Sequence, residues 1–289
     1  MRHILIAMLL FCAAPAAATE IKLATWNIAW LTLKPTGHPD LPRDVLARAP
    51  QDFALLRQYA TRLAADVIAL QEIDGAEAAG RVFDPALYAI HLTNETDVQR
   101  PGFAIRRTLR FTANPDLAAL DLRPDARYSL RRGADITLEI PGSPPLRLLS
   151  VHLKSGCREA VFGQNAIPDC ESLARQGQVI AAWAAARQRG GEAFIILGDF
   201  NRRMDERDLF LRGIEQAAPV LRPTAGLSTP CWADARGGRT FISHFLIGGA
   251  AREWMAPRSL GVMVYAERDR SYRDRISDHC PMSVRLNLP

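Results

Sequence analysis

The sequence predicts one α/β domain built from stacked sheets with helices on the outside. Three observations point there. Eight apolar runs have the length and composition of strands, only two segments have helical spacing, and the 289 residues contain no internal repeat, long linker or charge block. A composition of 48% apolar and 23% charged residues, with 19 Gly and 19 Pro, excludes collagen-like, low-complexity and wholly disordered chains.

The first segment along the chain is expected to stand outside that domain. Residues 1–18 (MRHILIAMLLFCAAPAAA) open on Arg2, continue as an apolar run from Ile4 and end in small residues, with Ala16 and Ala18 placed for an A-x-A cleavage. This predicts a signal peptide over 1–18 and a mature domain over 19–289, beginning near Thr19. A membrane anchor is the alternative. However, Pro15 breaks the run, which falls short of the ~18–20 apolar residues of a span, and no later segment could cross a bilayer. The expected location is periplasmic or secreted.

Strands are then expected at 21–28, 67–72, 103–107, 136–140, 146–152, 194–197, 240–247 and 282–288. A helix is expected over about 51–65, where Phe53, Leu56, Tyr59 and Leu63 recur on one face. A second, Ala-rich helix over about 173–189 carries Val179, Ile180 and Trp183 and is stopped by Gly190 and Gly191. Each helix leads into a strand that ends in acidic residues.

Export makes disulfides possible. Cys12 would leave with the signal, so Cys157, Cys170, Cys231 and Cys280 remain, an even set with three complete pairings. A local 157–170 pair would close a loop rich in Gly, Asn and Pro, and 231–280 would follow by elimination beside His279. The alternative is that Cys280 is a small buried thiol.

The net charge is +5, from 36 Lys and Arg against 31 Asp and Glu, and only Lys22, Lys34 and Lys154 are lysines. Arginine favours bidentate phosphate contacts. The excess suits an anionic substrate but is far from that of a histone-like tail.

Polar or ionisable residues sit at the ends of several apolar runs, where loops converge and sites are built. They are Thr25-Trp26-Asn27, Gln71-Glu72, His152-Leu153-Lys154-Ser155, Gly198-Asp199-Phe200-Asn201 and Ser277-Asp278-His279. Each has an ordinary structural role open to it, such as a turn cap for Asn27 or an Asx turn for Asp199. Together they are the groups that metal-assisted phosphoryl hydrolysis requires. A carboxylate holds Mg²⁺ while the ion keeps several waters, and the ion neutralises charge on a phosphate oxygen. An acid or imidazole orients the attacking water, and Asn, His or Lys donors stabilise the extra transition-state charge.

The order TWNI, LQEI, SVHLKS, GDFN, SDHCP resembles the endonuclease/exonuclease/phosphatase superfamily, metal-dependent hydrolases of the pancreatic-deoxyribonuclease fold, from Thr25 to Leu288. The resemblance implies a four-layered α/β sandwich, two mixed β-sheets packed face to face with helices outside. It implies Glu72 as the principal Mg²⁺ ligand, with Mn²⁺ or Ca²⁺ as substitutes, Asn27 as a second ligand directly or through water, and Asp278 next to the metal. Asp199 would orient the attacking water and Asn201 hold a phosphate oxygen. His279 would act as acid/base or phosphate stabiliser, and His152 would donate to a non-bridging oxygen or assist the leaving group. Lys154 is a further substrate contact, and Arg106, after an apolar strand containing Gly102, fits loosely as another.

One departure stands out. Ser243 occupies a position where the family commonly carries an Asp that orients the catalytic His, so a less basic His279 is expected unless Asp278 or His244 compensates. An inactive, ligand-binding homologue is the corresponding non-enzymatic reading.

The superfamily cleaves DNA, RNA, phosphoinositides and sphingomyelin, so the likeness does not choose a substrate. His152-Leu153 follows the deoxyribonuclease and sphingomyelinase version of its strand rather than that of abasic-site endonucleases. Basic segments at 106–110, 131–132, 202–203 (Arg202, Arg203) and 268–275 suit a polyanion, and Tyr265, Tyr272 and Trp232 are candidates to stack on bases. No clear apolar hairpin for membrane insertion is present. The expected function is Mg²⁺-dependent phosphodiester hydrolysis by an exported nuclease acting on DNA or RNA. The alternative is a phospholipid (sphingomyelinase-like) or sugar-phosphate phosphoesterase.

Overall fold

Fourteen strands organise the described residues, and alternation along them decides what meets what. The structure is a computed structural model that describes residues 19–126, 129–160, 162, 167–234 and 237–289, the backbone alone at 233–234 and 237–238. The expected signal segment, 1–18, lies outside the described residues. In chain order the strands are β1 (Thr19–Leu31), β2 (Val67–Ile73), β3 (Tyr88–Leu92), β4 (Arg100–Arg106), β5 (Arg110–Ala113), β6 (Ala134–Glu139), β7 (Leu146–His152), β8 (Ala193–Asp199), β9 (Val220–Leu221), β10 (Ser228–Asp234), β11 (Gly237–Thr240), β12 (Ser243–Gly248), β13 (Gly261–Val262) and β14 (Met282–Leu288). The helices are α1 (Pro50–Leu63), α2 (Ala76–Val82), α3 (Pro168–Arg189), α4 (Leu209–Ala217) and the short α5 (Ala251–Trp254) and α6 (Ser271–Arg275).

Two six-stranded mixed sheets form, in the orders β13-β14-β1-β2-β4-β3 and β5-β6-β7-β8-β12-β9, and β10 and β11 make a separate hairpin. The sheets pack face to face because every central strand is apolar on both sides. Ile21 and Leu23 of β1, Val67 and Ala69 of β2, Leu146 and Leu148 of β7, and Ile195 and Leu197 of β8 share one buried layer between the sheets. Trp26, Ile68 and Leu70 on the opposite side of the first sheet meet Leu56, Tyr59 and Leu63 of α1. Val151, Ile196 and Leu246 on the outer side of the second meet Leu173, Ile180 and Trp183 of α3. This is the four-layered sandwich that the motif series implies.

The expected strand at 240–247 is split. Thr240 closes the β10–β11 hairpin and Ser243 begins β12, which pairs antiparallel with β8. Gly198 in β8 has a φ of +146°, and a Cβ there would lie 2.1 Å from the Val151 carbonyl oxygen, so only glycine lets β8 approach β7 this closely.

Cys157 bonds to Cys170 and Cys231 to Cys280. Their sequence separations of 13 and 49 residues correspond to about 3 and about 4 kcal/mol of loop-closure stabilisation. Replacing Cys231 and Cys280 by Ser is therefore expected to lower the melting temperature more than replacing Cys157 and Cys170, and calorimetry of the two double variants measures the difference. Among the described residues no helix is long and apolar enough to cross a membrane.

Candidate active site

A side chain two positions beyond the last core residue of a strand points the same way as that core residue. In β1, Ile21 and Leu23 are followed by Thr25 and Asn27. In β7, Leu146 and Leu148 are followed by Ser150 and His152, and in β8, Ile195 and Leu197 by Asp199. In β12, Ser243 precedes Phe245 and Ile247 in the same phase. His152 and Ser243 both pair in register with Asp199, so three strands set these side chains in one row. Beneath it, Thr25 Oγ1 donates to Gln71 Oε1 and Gln71 Nε2 to Ser150 Oγ, each at 3.2 Å, a polar rung between the two sheets.

Glu72 breaks the alternation. Its φ of +63° coincides with a register shift between β2 and β4, which carries the carboxylate over the strand end to Asn27. Asn27 Nδ2 donates to Glu72 Oε1 at 2.9 Å and to Asp199 Oδ2 at 3.1 Å, and the Trp30 amide donates to Glu72 Oε2 at 3.0 Å. His152 Nε2 lies 3.6 Å from Glu72 and 3.9 Å from Asp199, and His279 Nε2 lies 3.5 Å from Asp199. Asp199 also accepts from the Asn201 amide at 2.8 Å, while Asn201 Nδ2 donates to the Leu153 carbonyl. Ala29, Trp30 and Asn201 share the positive φ of Glu72. Non-glycine residues in this region cost about 1–3 kcal/mol each and concentrate at functional sites.

Loops hold the remaining members. Ser277 Oγ donates to the Asn27 carbonyl at 2.7 Å and accepts from the His279 amide at 2.9 Å, which fixes the Asp278-His279 segment to β1. Arg48 reinforces this junction. Its buried guanidinium, pulled down to about 10 by burial, donates to the carbonyls of Ile28, Ala29 and Trp30 and to those of Arg275 and Ile276. It remains charged near neutrality. No motif marks Arg48 in the sequence, because its partners are backbone atoms some 20 and 230 positions away. Tyr265 donates to the His279 carbonyl and accepts from Trp26, which makes it a buried strut rather than a base-stacking surface.

Burial raises the Glu72 carboxyl above its ordinary range, and Asp278 adds to the rise while Asn27, His279 and Gln99 oppose it. The two imidazoles diverge. His152 is held well below 6.5, first by burial, then by the charges of Arg131 and His279. Burial also presses on His279, but Asp199, Asp278 and Glu72 together outweigh it and leave His279 above 6.5. Ser243 Oγ stands 3.3 Å from His279 Nδ1. The carboxylates around His279 thus supply charge that Ser243 does not, as expected if Asp278 compensates in part for the missing Asp. His244 lies in the opposite phase of β12, bonded to Thr224 and the Arg202 carbonyl, and takes no part. Ser243→Asp is expected to move the alkaline limb of the rate profile up by roughly one pH unit, and an unchanged limb would show that Ser243 does not tune His279.

A mostly buried carboxylate held by neutral donors, with its pKa raised by desolvation, is a group to which a hard cation would bind. Glu72 fits that description, and the half-exposed Asp278 lines the same cavity of about 520 Å³ with Trp30 and Arg270. Among the described residues no cluster of three or more His, Cys, Asp or Glu forms a protein-only cage. Mg²⁺ requires none, since one or two carboxylates and waters suffice. Asn27 Oδ1 accepts from the Ala29 amide at 2.9 Å, while its Nδ2 orients Glu72.

A model of the Endonuclease/Exonuclease/phosphatase family matches residues 24–279. The chain belongs to this family. Members include nucleases and phosphodiesterases, hydrolases of phosphoric esters that generally use divalent metal ions. No curated protein matches the chain. TDP2 from C. elegans superimposes with a TM-score of 0.60 at 14% identity, over 96% of this chain and 78% of its own. A Bacteroides vulgatus family protein gives 0.56 at 13%, over 94% and 100%. The human Nocturnin catalytic domain, with a bound sulfate anion, gives 0.55 at 14%, over 93% and 95%. At these identities the likeness speaks to the fold.

In this family member the cations expected to touch substrate divide. Arg203 lines a cavity beside His279. Arg202 does not: it is buried, ion-paired to Asp208 at 2.7 Å and bonded to the Cys157 and Ala160 carbonyls, where it braces the disulfide loop. Arg106, expected as a substrate contact, also stands away from the site. β4 runs antiparallel to β2, so Arg106 stacks on Tyr88 at the end of the sheet opposite Glu72, and Arg100 and Gln99 stand at the Glu72 end. Lys154 pairs with Asp169 at 2.9 Å and so begins engaged. Arg131, which donates to the Leu153 carbonyl, is the cation set beside His152.

Proposed function

We propose that residues 1–18 are a cleaved signal and that 19–289 form an exported, Mg²⁺-dependent phosphodiesterase, a nuclease acting on DNA or RNA. The observation that carries this reading is the convergence of Asn27, Glu72, His152, Asp199 and His279, from β1, β2, β7, β8 and the loop before β14, within 4 Å of one another in a chain of contacts. Both disulfides fit an oxidising compartment.

In this reading Glu72 and Asp278 hold the ion, Asn27 orients Glu72, and Mg²⁺ when bound neutralises charge on the scissile phosphate. Asp199 accepts a proton from the attacking water or orients it. Asn201, held over Asp199, donates to a phosphate oxygen. His279, held above its ordinary value by Asp199, Asp278 and Glu72, stabilises the pentacoordinate charge in its protonated form, and neutral His152 donates to a non-bridging oxygen. The two imidazoles take different roles because their surroundings push their pKa values apart.

The test is turnover of plasmid DNA, RNA, sphingomyelin and a chromogenic phosphodiester by purified protein, with and without chelator. Cleavage of nucleic acid that chelation abolishes and Mg²⁺ restores is expected. Activity indifferent to chelator, or confined to sphingomyelin, would overturn the proposal.

A further inference from the structure

The cleft at Glu72 and His279 has two arms of opposite charge. On the Trp30 side, Glu72, Asp44, Asp274 and Asp278 face only Arg270 and Arg273. A divalent ion beside Glu72 would bring that arm to neutrality and no further. On the His279 side, a cavity of about 270 Å³ is lined by Arg158, Arg203 and Arg239, with Arg273 and the single carboxylate of Asp278 shared between the two arms.

These guanidiniums are poorly compensated. Among the described residues Arg158, Arg239 and Arg273 have no ion-pair partner, and Arg203 pairs only with the exposed Glu159. The Nε atoms of Arg203 and Arg273 are buried without a hydrogen-bond partner. Four like charges around a small cavity repel one another, and buried donors without acceptors carry a desolvation cost. A phosphate group relieves both, since guanidinium forks match its oxygens. Trp232, whose indole is fixed by the Ser277 carbonyl, forms an apolar wall of the same cavity.

We infer that the arginine-lined cavity beside His279 binds a second phosphate group of the substrate, so that the enzyme prefers an ester bearing a further phosphate on that side only. The inference rests on the phosphodiesterase reading for its word "substrate" but not for the anion site itself. A long polyanion crossing both arms would meet acidic residues on the Trp30 side. The charge distribution therefore favours a phosphate-terminated end or a compact bisphosphorylated molecule over the interior of a long duplex. The second phosphate could belong to a terminal phosphomonoester or to the next linkage of an oligonucleotide.

Two measurements test this. Pyrophosphate is titrated calorimetrically into the full chain in the presence of EDTA, so that no divalent site contributes. One site per chain is expected, weakened at least roughly tenfold in Arg158→Gln/Arg239→Gln, a pair of exposed residues outside the core. No binding, or binding equal in the variant, overturns the inference. Hydrolysis of thymidine dinucleotides without a terminal phosphate, with a 5′-phosphate and with a 3′-phosphate, and of a trinucleotide, is then compared. One phosphorylated form should exceed the unphosphorylated one in kcat/KM by at least roughly tenfold, with that ratio lost in the double variant. Preference for the trinucleotide would assign the pocket to an internal linkage. Equal rates for all four would overturn the inference. Pyrophosphate binding without hydrolysis of any substrate would retire the phosphodiesterase reading and leave the anion site standing.

Discussion

Glu72→Gln is expected to lower kcat by roughly a thousandfold or more, as loss of several kcal/mol of metal-ion charge stabilisation requires, while leaving the fold intact or more stable. Both halves come from the same surroundings. The side chain is mostly buried and accepts from Asn27 at one oxygen and from the Trp30 amide at the other; an isosteric amide fills the same space and keeps its oxygen toward one of these two donors. Its carboxyl is raised above the ordinary range, so the charged form destabilises the native state at pH values above that range, and the neutral amide removes this cost. Kinetics and a thermal melt on one preparation separate the two effects. A kcat within tenfold of wild type would mean that Glu72 holds no ion in turnover, and a collapsed melt would make it a structural group.

His279→Ala is expected to cost roughly 10²–10⁴ in kcat/KM, the range for a positioned acid or base, and to erase the alkaline limb of the pH profile. Burial pushes the imidazole down, but Asp199, Asp278 and Glu72 hold it above 6.5. It is therefore protonated below that raised value and loses its proton as pH climbs through it, so activity that needs the cation falls on the alkaline side. His152, pushed well below 6.5 by burial and by Arg131, is already neutral there. His152→Ala should lower the rate yet keep the alkaline limb. A limb that survives His279→Ala and vanishes in His152→Ala would exchange the two roles.

The parts of this site legible in the sequence are those set by strand periodicity. Asn27, His152 and Asp199 each follow an apolar run in the phase of its inner face, so the end of a strand predicts where the side chain goes. Glu72 is marked by its motif, although alternation alone would turn it outward, since only the positive φ brings it round. What sequence could not supply depends on direction or on backbone partners. Arg106 follows an apolar strand as a phosphate contact would, but the antiparallel pairing of β4 with β2 places it at the far end of the sheet. Arg202 adjoins Asn201 but turns inward to Asp208, whereas Arg203 remains at the cleft. Short β3, β5 and the β10–β11 hairpin lack strong apolar runs, because they are edge elements half open to solvent.

The proposed hydrolysis depends on one divalent ion held at Glu72. Titration of Mn²⁺ into wild type and Glu72→Gln, read by the electron paramagnetic resonance signal of the free ion, measures this without reference to any substrate. One tight ion per wild-type chain, weakened at least roughly tenfold in the variant, is the predicted result. Binding of the same strength and stoichiometry in both proteins would contradict it.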